Sequence, residues 1–132
     1  MAHPIMFDDD DPLLARVREL CLAFPEAEER VSHGRPTFRV AKQFAVYGGG
    51  ERSSEGHVRH DHALMFIADP AEVEALDQDE RFFVPAYYGP AGWRALDLDR
   101  ADVEWQEVVE LLDTSYRMVA NRRQLSALDA DA

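Results

Sequence analysis

The segment Ser32-His33-Gly34-Arg35-Pro36-Thr37-Phe38 brings a histidine and an arginine to either side of a glycine. Those two side chains could present hydrogen-bond donors to a phosphate or a carboxylate, and charge-assisted donors are the strong kind. The same residues also make a structural turn, which is the default reading. Gly34 takes backbone conformations that other residues resist, and Pro36 fixes the chain before the strand that follows. His33 and Arg35 would then satisfy carbonyls or acids of the domain itself. Ser32 next to His33 is not a catalytic dyad, because adjacent residues point apart in an extended chain and no orienting third group can be named.

Two further clusters invite chemistry. Arg39 and Lys42 fall on a predicted hairpin, and Arg52 and Arg59 follow in the next segment, so together they could lay a basic wing over a phosphate backbone. A solvated hairpin edge, where charge discourages strand-to-strand aggregation, is the favoured reading. His57, His60 and His62 are the candidate metal ligands: in an extended chain His60 and His62 share a face, a workable pair for zinc or copper. Without a rigid further partner they read better as surface histidines, so no metal and no cofactor is expected. Gly48-Gly49-Gly50 lacks the lysine and the following helix of a phosphate loop and reads as a linker. Trp93 and Trp105 read as core, although an exposed Trp93 beside Gly92 would offer a stacking platform.

Charge limits these options. The net charge of −12 opposes indiscriminate nucleic-acid binding. The distribution is uneven, however. From Arg30 to His60 six basic residues face two acids, a local balance of +4 before three histidines are counted. The acids gather at Asp8–Asp11, Glu26–Glu29, Asp69–Glu80 and Asp97–Asp113, where solvated faces and helix starts explain them. Cys21, the single cysteine, excludes an intrachain disulfide and falls on an apolar helix face, as an inert buried thiol would.

The elements that must position these residues follow from periodicity. At 132 residues and 46% hydrophobic, the chain suits one globular domain with a core at about 12–123 and loose ends at 1–10 and 127–132. Asp11-Pro12 starts a helix whose stripe is Leu13, Val17, Leu20, Cys21 and Phe24. A polar turn is expected from Glu26 to Arg30. Phe38, Val40, Phe44 and Val46 alternate around Ala41-Lys42-Gln43 as a hairpin, and the stretch from Gly48 to Asp61 is expected to be a loop. Ala63–Ala68 is a buried strand. Asp69-Pro70 with Glu72 reads as a capped helix start, then Phe82–Val84 and Trp93–Leu98 as strands. Asp102 is expected to cap a last helix carrying Trp105, Val108, Val109, Leu112, Tyr116 and Val119. The order α-β-β-β-α-β-β-α gives an α+β domain, an antiparallel five-stranded sheet with helices on one face. No stretch reaches the roughly 18 apolar residues of a membrane span, and the opening residues do not read as a signal peptide, so a cytoplasmic monomer is expected.

Three patches carry a likeness to a known family: Ser32–Phe38, Pro85 with Tyr87–Trp93 (PAYYGPAGW), and the Trp105–Val119 helix ending Ser115-Tyr116-Arg117-Met118-Val119. Together, and in this order, they resemble the MmcQ/YjbR family from about Pro12 to Arg123. The resemblance implies a two-layer sandwich of the frataxin (CyaY) type and a suggested "double wing" DNA-binding role, with no catalytic residue set to carry over. The favoured expectation is therefore a non-enzymatic binding module. Its candidate ligand is DNA, and its contact residues are His33, Gly34, Arg35, Pro36, Arg39, Lys42 and Trp93. A protein- or peptide-binding adaptor using a sheet edge or face is the alternative. A third reading is a small-ligand protein or enzyme built on His33, Arg35 and Trp93, which requires a pocket joining them.

Overall fold

The computed structural model describes residues 4–130. Helix α1 (Pro12–Leu22) starts as its sequence predicts, with the Asp11 carboxylate accepting from the Leu13 N–H and Pro12 in the first turn. Leu14, Val17 and Cys21 form its buried stripe. Four strands follow: β1 (Glu28–Ser32), β2 (Arg35–Arg39), β3 (Gln43–Ser53) and β4 (Gly56–Ile67). Then come α2 (Val73–Gln78), β5 (Phe82–Phe83), a 3-10 turn at Gly89–Ala91, β6 (Trp93–Asp97), α3 (Trp105–Val119) and α4 (Arg122–Ala130).

The sheet is antiparallel at every pairing, with spatial order β1-β2-β3-β4-β6-β5. It has six strands where five are expected. The extra one is β1, which lies where the polar turn Glu26–Arg30 was read. Its sequence gives no apolar alternation because it is an outer strand with two exposed faces, held by its register against β2. The turn itself shrinks to the residues around Glu26, which holds a left-handed φ of 62°.

Side chains alternate across the sheet except at breaks in register, one of which, between Phe38 and Arg39, leaves Phe44 on the same side as Tyr47. On one side Phe38, Phe44, Tyr47, Leu64, Phe66 and Leu96 join Val108, Leu112 and Tyr116 of α3 and the α1 stripe in the main core. All four helices contribute to it, with Val73 and Leu76 from α2 and Leu128 from α4. Ser115 joins α3 to the sheet: its hydroxyl donates to the Phe44 carbonyl and accepts from the Ile67 N–H, so two backbone groups are satisfied at a buried site. Tyr116 stacks on Phe24 at 4.8 Å and donates to the Pro25 carbonyl, which fixes the end of α1. The other side carries a smaller buried cluster, Val46, Met65, Trp93 and Ala95, with Ile67, Phe83 and Tyr88 beside it.

Three boundaries depart from expectation. The helix after Asp69 begins at Val73, and Glu72 makes no side-chain cap; Asp69 instead accepts from the Ala71 N–H in the preceding turn. The last long helix begins at Trp105 rather than at Asp102, whose carboxylate is held by Arg100. The ends are also built. Residues 127–130 belong to α4, and the Met6 N–H donates to the Gly34 carbonyl at 2.9 Å. Residues 1–3 and 131–132 lie outside the described part.

The glycine triplet is the largest correction. Gly48–Gly50 lies inside β3, and the stretch read as a loop is a two-stranded ribbon closed at Ser53↔Gly56. Ladder hydrogen bonds stabilise such a ribbon without apolar burial, so its polar sequence hid it. Its register breaks at Gly48: one β3 residue, between Tyr47↔Leu64 and Gly49↔His60, spans three of β4. Gly48 itself sits at φ 91°, a conformation that favours glycine.

Candidate functional site

The glycine triplet is the floor of a cleft of about 480 Å³. Three side chains from other parts of the structure lie where its own side chains would stand. A Cβ on Gly48 would meet Arg35 Nη1 at 2.1 Å, one on Gly49 would meet Met65 Sδ at 2.7 Å, and one on Gly50 would meet His57 Cε1 at 2.3 Å. The glycines are thus a bed on which neighbouring side chains lie flat, which is what glycine inside a strand commonly marks.

Two walls rise from this floor. One is the β1–β2 turn, with Ser32, His33 and Arg35. His33 and Gly34 hold φ of 53° and 81°, so both central residues of this two-residue connection are left-handed, as tight hairpins require. A Cβ at Gly34 would meet the Pro4 carbonyl oxygen at 2.1 Å. Pro36 is buried at the point where the ladder from β2 to β3 begins. Gly34 and Pro36 therefore have backbone reasons for their identity. The other wall is the segment Ala86-Tyr87-Tyr88, tied down by the Ala86 N–H donating to the Gly50 carbonyl at 2.8 Å. Tyr87 is 77% exposed at a left-handed φ of 70°, with the Arg52 guanidinium 5.2 Å from its ring centre. Met6, Val46 and Met65 complete an apolar lining.

Arg35 is the cation of this cleft, and its surroundings are unusual. It is 9% exposed, and its Nη2 reaches Asp61 at 3.2 Å. Asp61 is shared, because Arg59 donates to both of its oxygens at 3.1 and 3.2 Å. One carboxylate thus serves two guanidinium groups. Arg35 Nη1 is the one buried side-chain nitrogen or oxygen among the described residues with no hydrogen-bond partner. The residues lining the cleft include no aspartate or glutamate, although the chain carries 26 acids.

The other predicted contact residues lie elsewhere. Arg39 and Lys42 flank the β2–β3 turn and border a separate shallow depression with Trp93 and Met118. Along β3, Arg52 stands nine residues from Gln43, about 30 Å at strand rise. The basic residues therefore do not converge on one surface, and several are engaged with acids: Arg30 with Glu28, and Arg35 and Arg59 with Asp61. Trp93 is 8% exposed and packs edge-on against Tyr88 at 5.2 Å. It supports the cleft wall from behind rather than lining the cleft.

The three candidate metal ligands have separate surroundings. His57 is exposed over Gly50. His60 stacks on Phe83 at 4.2 Å, with its two ring nitrogens 3.0 Å from Asp97 and 3.1 Å from Glu51. His62 Nδ1 lies 3.0 Å from Asp11 Oδ2. Among the described residues no three histidine, cysteine or carboxylate side chains are arranged to hold a metal ion. The Asp11 carboxylate also accepts from the buried Tyr47 hydroxyl at 2.5 Å. Burial alone would raise the Asp11 pKa, but the Tyr47 hydroxyl, the Leu13 N–H and His62 outweigh it and hold the carboxyl below its ordinary value. Burial pushes the Cys21 thiol far up, in keeping with an inert core residue.

Sequence reasoning found His33 and Arg35 but missed Met6, Val46, Met65, Tyr87, Tyr88 and the glycines as parts of one site. The available signal was three consecutive glycines directly continuing the alternation Phe44-Val46, which marks close approach within a strand more than it marks a linker.

No helix among the described residues is long and apolar enough to cross a membrane. A search of curated proteins found no match. The family model YjbR matches residues 22–118, most of the chain and including all three patches noted in the sequence apart from the last residue of the third. With that match, the chain belongs to the YjbR family.

Proposed function

We propose that this protein is a small-molecule-binding module whose site is the cleft over Gly48–Gly50. The observation that carries this reading is convergence. Ser32–Arg35 and Ala86–Tyr88 lie about fifty residues apart in sequence, yet both wall one cleft whose glycine floor carries no side chains of its own. A volume of about 480 Å³ with apolar walls and a few polar groups suits a drug-sized ligand. The cleft joins His33 and Arg35 to Tyr88, while Trp93, the third residue of the small-ligand reading, lies outside it and only packs behind Tyr88.

A second reading, DNA binding, is favoured by one observation: Arg39 and Lys42 have no carboxylate partner among the described residues and stand together at the β2–β3 turn. It draws little from the rest of the basic segment, where guanidinium groups are already paired and separated.

Amide chemical-shift mapping with a mixed panel of small aromatic and aliphatic fragments separates the two. The cleft reading expects shifts concentrated at Gly48, Gly49, Gly50 and Tyr88, and it fails if no fragment moves those amides. A short DNA duplex at about 50 mM salt, where even weak phosphate contacts persist, should move Arg39 and Lys42 if the second reading holds.

A further inference from the structure

We infer that the cleft selects a monoanionic, mainly apolar carboxylic acid, with Arg35 receiving the acid group and Met6, Val46, Met65 and Tyr88 receiving the apolar body. This rests on the cleft being the binding site and adds the chemistry of its ligand.

Three independent features point the same way. The first is the hydrogen-bond deficit. A buried guanidinium normally has every N–H engaged, because an unmade bond away from water is costly. Arg35 has Nη2 on Asp61 and Nη1 on nothing. Nη1 lies directly over Gly48, where any larger residue would occupy its place. The glycine therefore makes the room in which the unmatched donor lies.

The second feature is charge. Arg52 stands at the Tyr87 wall; at the Arg35 end, Arg35 and Arg59 contribute two positive charges and Asp61 returns one negative charge, which leaves about one uncompensated positive charge there, with no acid among the described lining residues. One carboxylate balances it. A phosphate monoester, carrying roughly −1.5 to −2 near neutral pH, would exceed it inside apolar walls. A planar carboxylate also matches the guanidinium fork.

The third feature is shape and give. Apart from Ser32, His33, His57 and the glycine backbone, the remaining lining is thioether, aliphatic and aromatic, soft surfaces that accept an apolar body. Two lining side chains, His57 and Tyr87, are exposed and can rotate to admit it without disturbing the core.

The test uses the intact protein and matched probes: phenylacetate and benzoate, their uncharged amides phenylacetamide and benzamide, and phenyl phosphate, each titrated while the amides of Gly48–Gly50 are followed. The acids are expected to bind at least tenfold more tightly than their amides. Arg35→Gln should erase that preference. Because Arg35 is buried and its loss could impair folding, Asp61→Asn provides the second variant. Removing the competing carboxylate from an exposed position should tighten the acids severalfold and leave the amides unchanged. Equal binding of acids and amides overturns the inference but leaves the cleft reading standing. Tighter binding of phenyl phosphate than of phenylacetate overturns the choice of carboxylate, as do acid-induced shifts confined to sites away from the glycines. Failure of every probe, charged and neutral, to move the cleft amides removes both readings together.

Discussion

The two faces of the sheet are finished by different means. Under the helices, Phe38, Phe44, Tyr47, Leu64 and Phe66 are fully buried against α1 and α3, with backbone polar groups met by Ser115 and the helix start met by Asp11. On the opposite side, four buried apolar residues and one tethered segment cover the middle of the sheet, and toward the ribbon the surface drops to bare glycine backbone. Close packing is what stabilises a domain, and a fully packed face has no room for a ligand. The contrast teaches a division of labour: stability resides on the helix side, which leaves the other side free to stay open and to keep a donor unmatched.

Three substitutions put pressure on that division. The largest effect belongs to the packed side. Leu112, fully buried between α3 and the sheet, should cost about 3 kcal/mol of unfolding free energy as Leu112→Ala, read from the denaturant midpoint. A loss under about 1 kcal/mol would mean that the helix layer is not where stability resides. Next is Asp11, the polar fastener of the same side. Asp11→Ala removes a helix cap and the acceptor of a buried tyrosine hydroxyl, which together should cost about 2 kcal/mol at neutral pH. The Asp11 carboxyl is depressed in the folded state, so its contribution is fully present above about pH 4, its ordinary range, and is lost as pH falls through the lower folded value. Stability measured against pH should thus fall less steeply on the acid side in Asp11→Ala than in the parent protein. The smallest effect should come from the open side. Tyr87→Gly removes an exposed ring and suits a left-handed backbone, so it should change stability by no more than about 0.5 kcal/mol while altering the cleft rim. A loss above 1 kcal/mol there would show that the open side also holds the fold together.

What the sequence disclosed follows the same line. The helix side was legible because apolar residues recur at helical spacing in Leu112-Tyr116-Val119 and at strand spacing in Phe38-Val40. The capped start at Asp11-Pro12 was legible from local chemistry. Strand β1 and the outer ribbon were not, since exposed strands keep their pairing through backbone hydrogen bonds and show little pattern in their side chains. The late start of α3 was missed because Asp102 has the right residue type for a cap but is engaged by Arg100. For the cleft, His33 and Arg35 could be named from their own segment. That Met65, His57 and Tyr88 meet them depends on register and on the break at Gly48, which are properties of long-range pairing and not of any window of sequence.

The register break also divides one strand into two mechanical regimes. Below it, Ala45 to Tyr47 are flanked by β4 and in part by β2, so their amides can open only when much of the molecule opens. Above it, the hairpin from Glu51 to Arg59 is paired with itself alone, and an isolated pair of strands is marginal in water. That arm can fray and reclose on its own schedule while the body stays folded. The register break adjoins Gly48, so the same residue that makes room for a neighbour's guanidinium also marks where the fully flanked part of the strand gives way to a two-stranded arm.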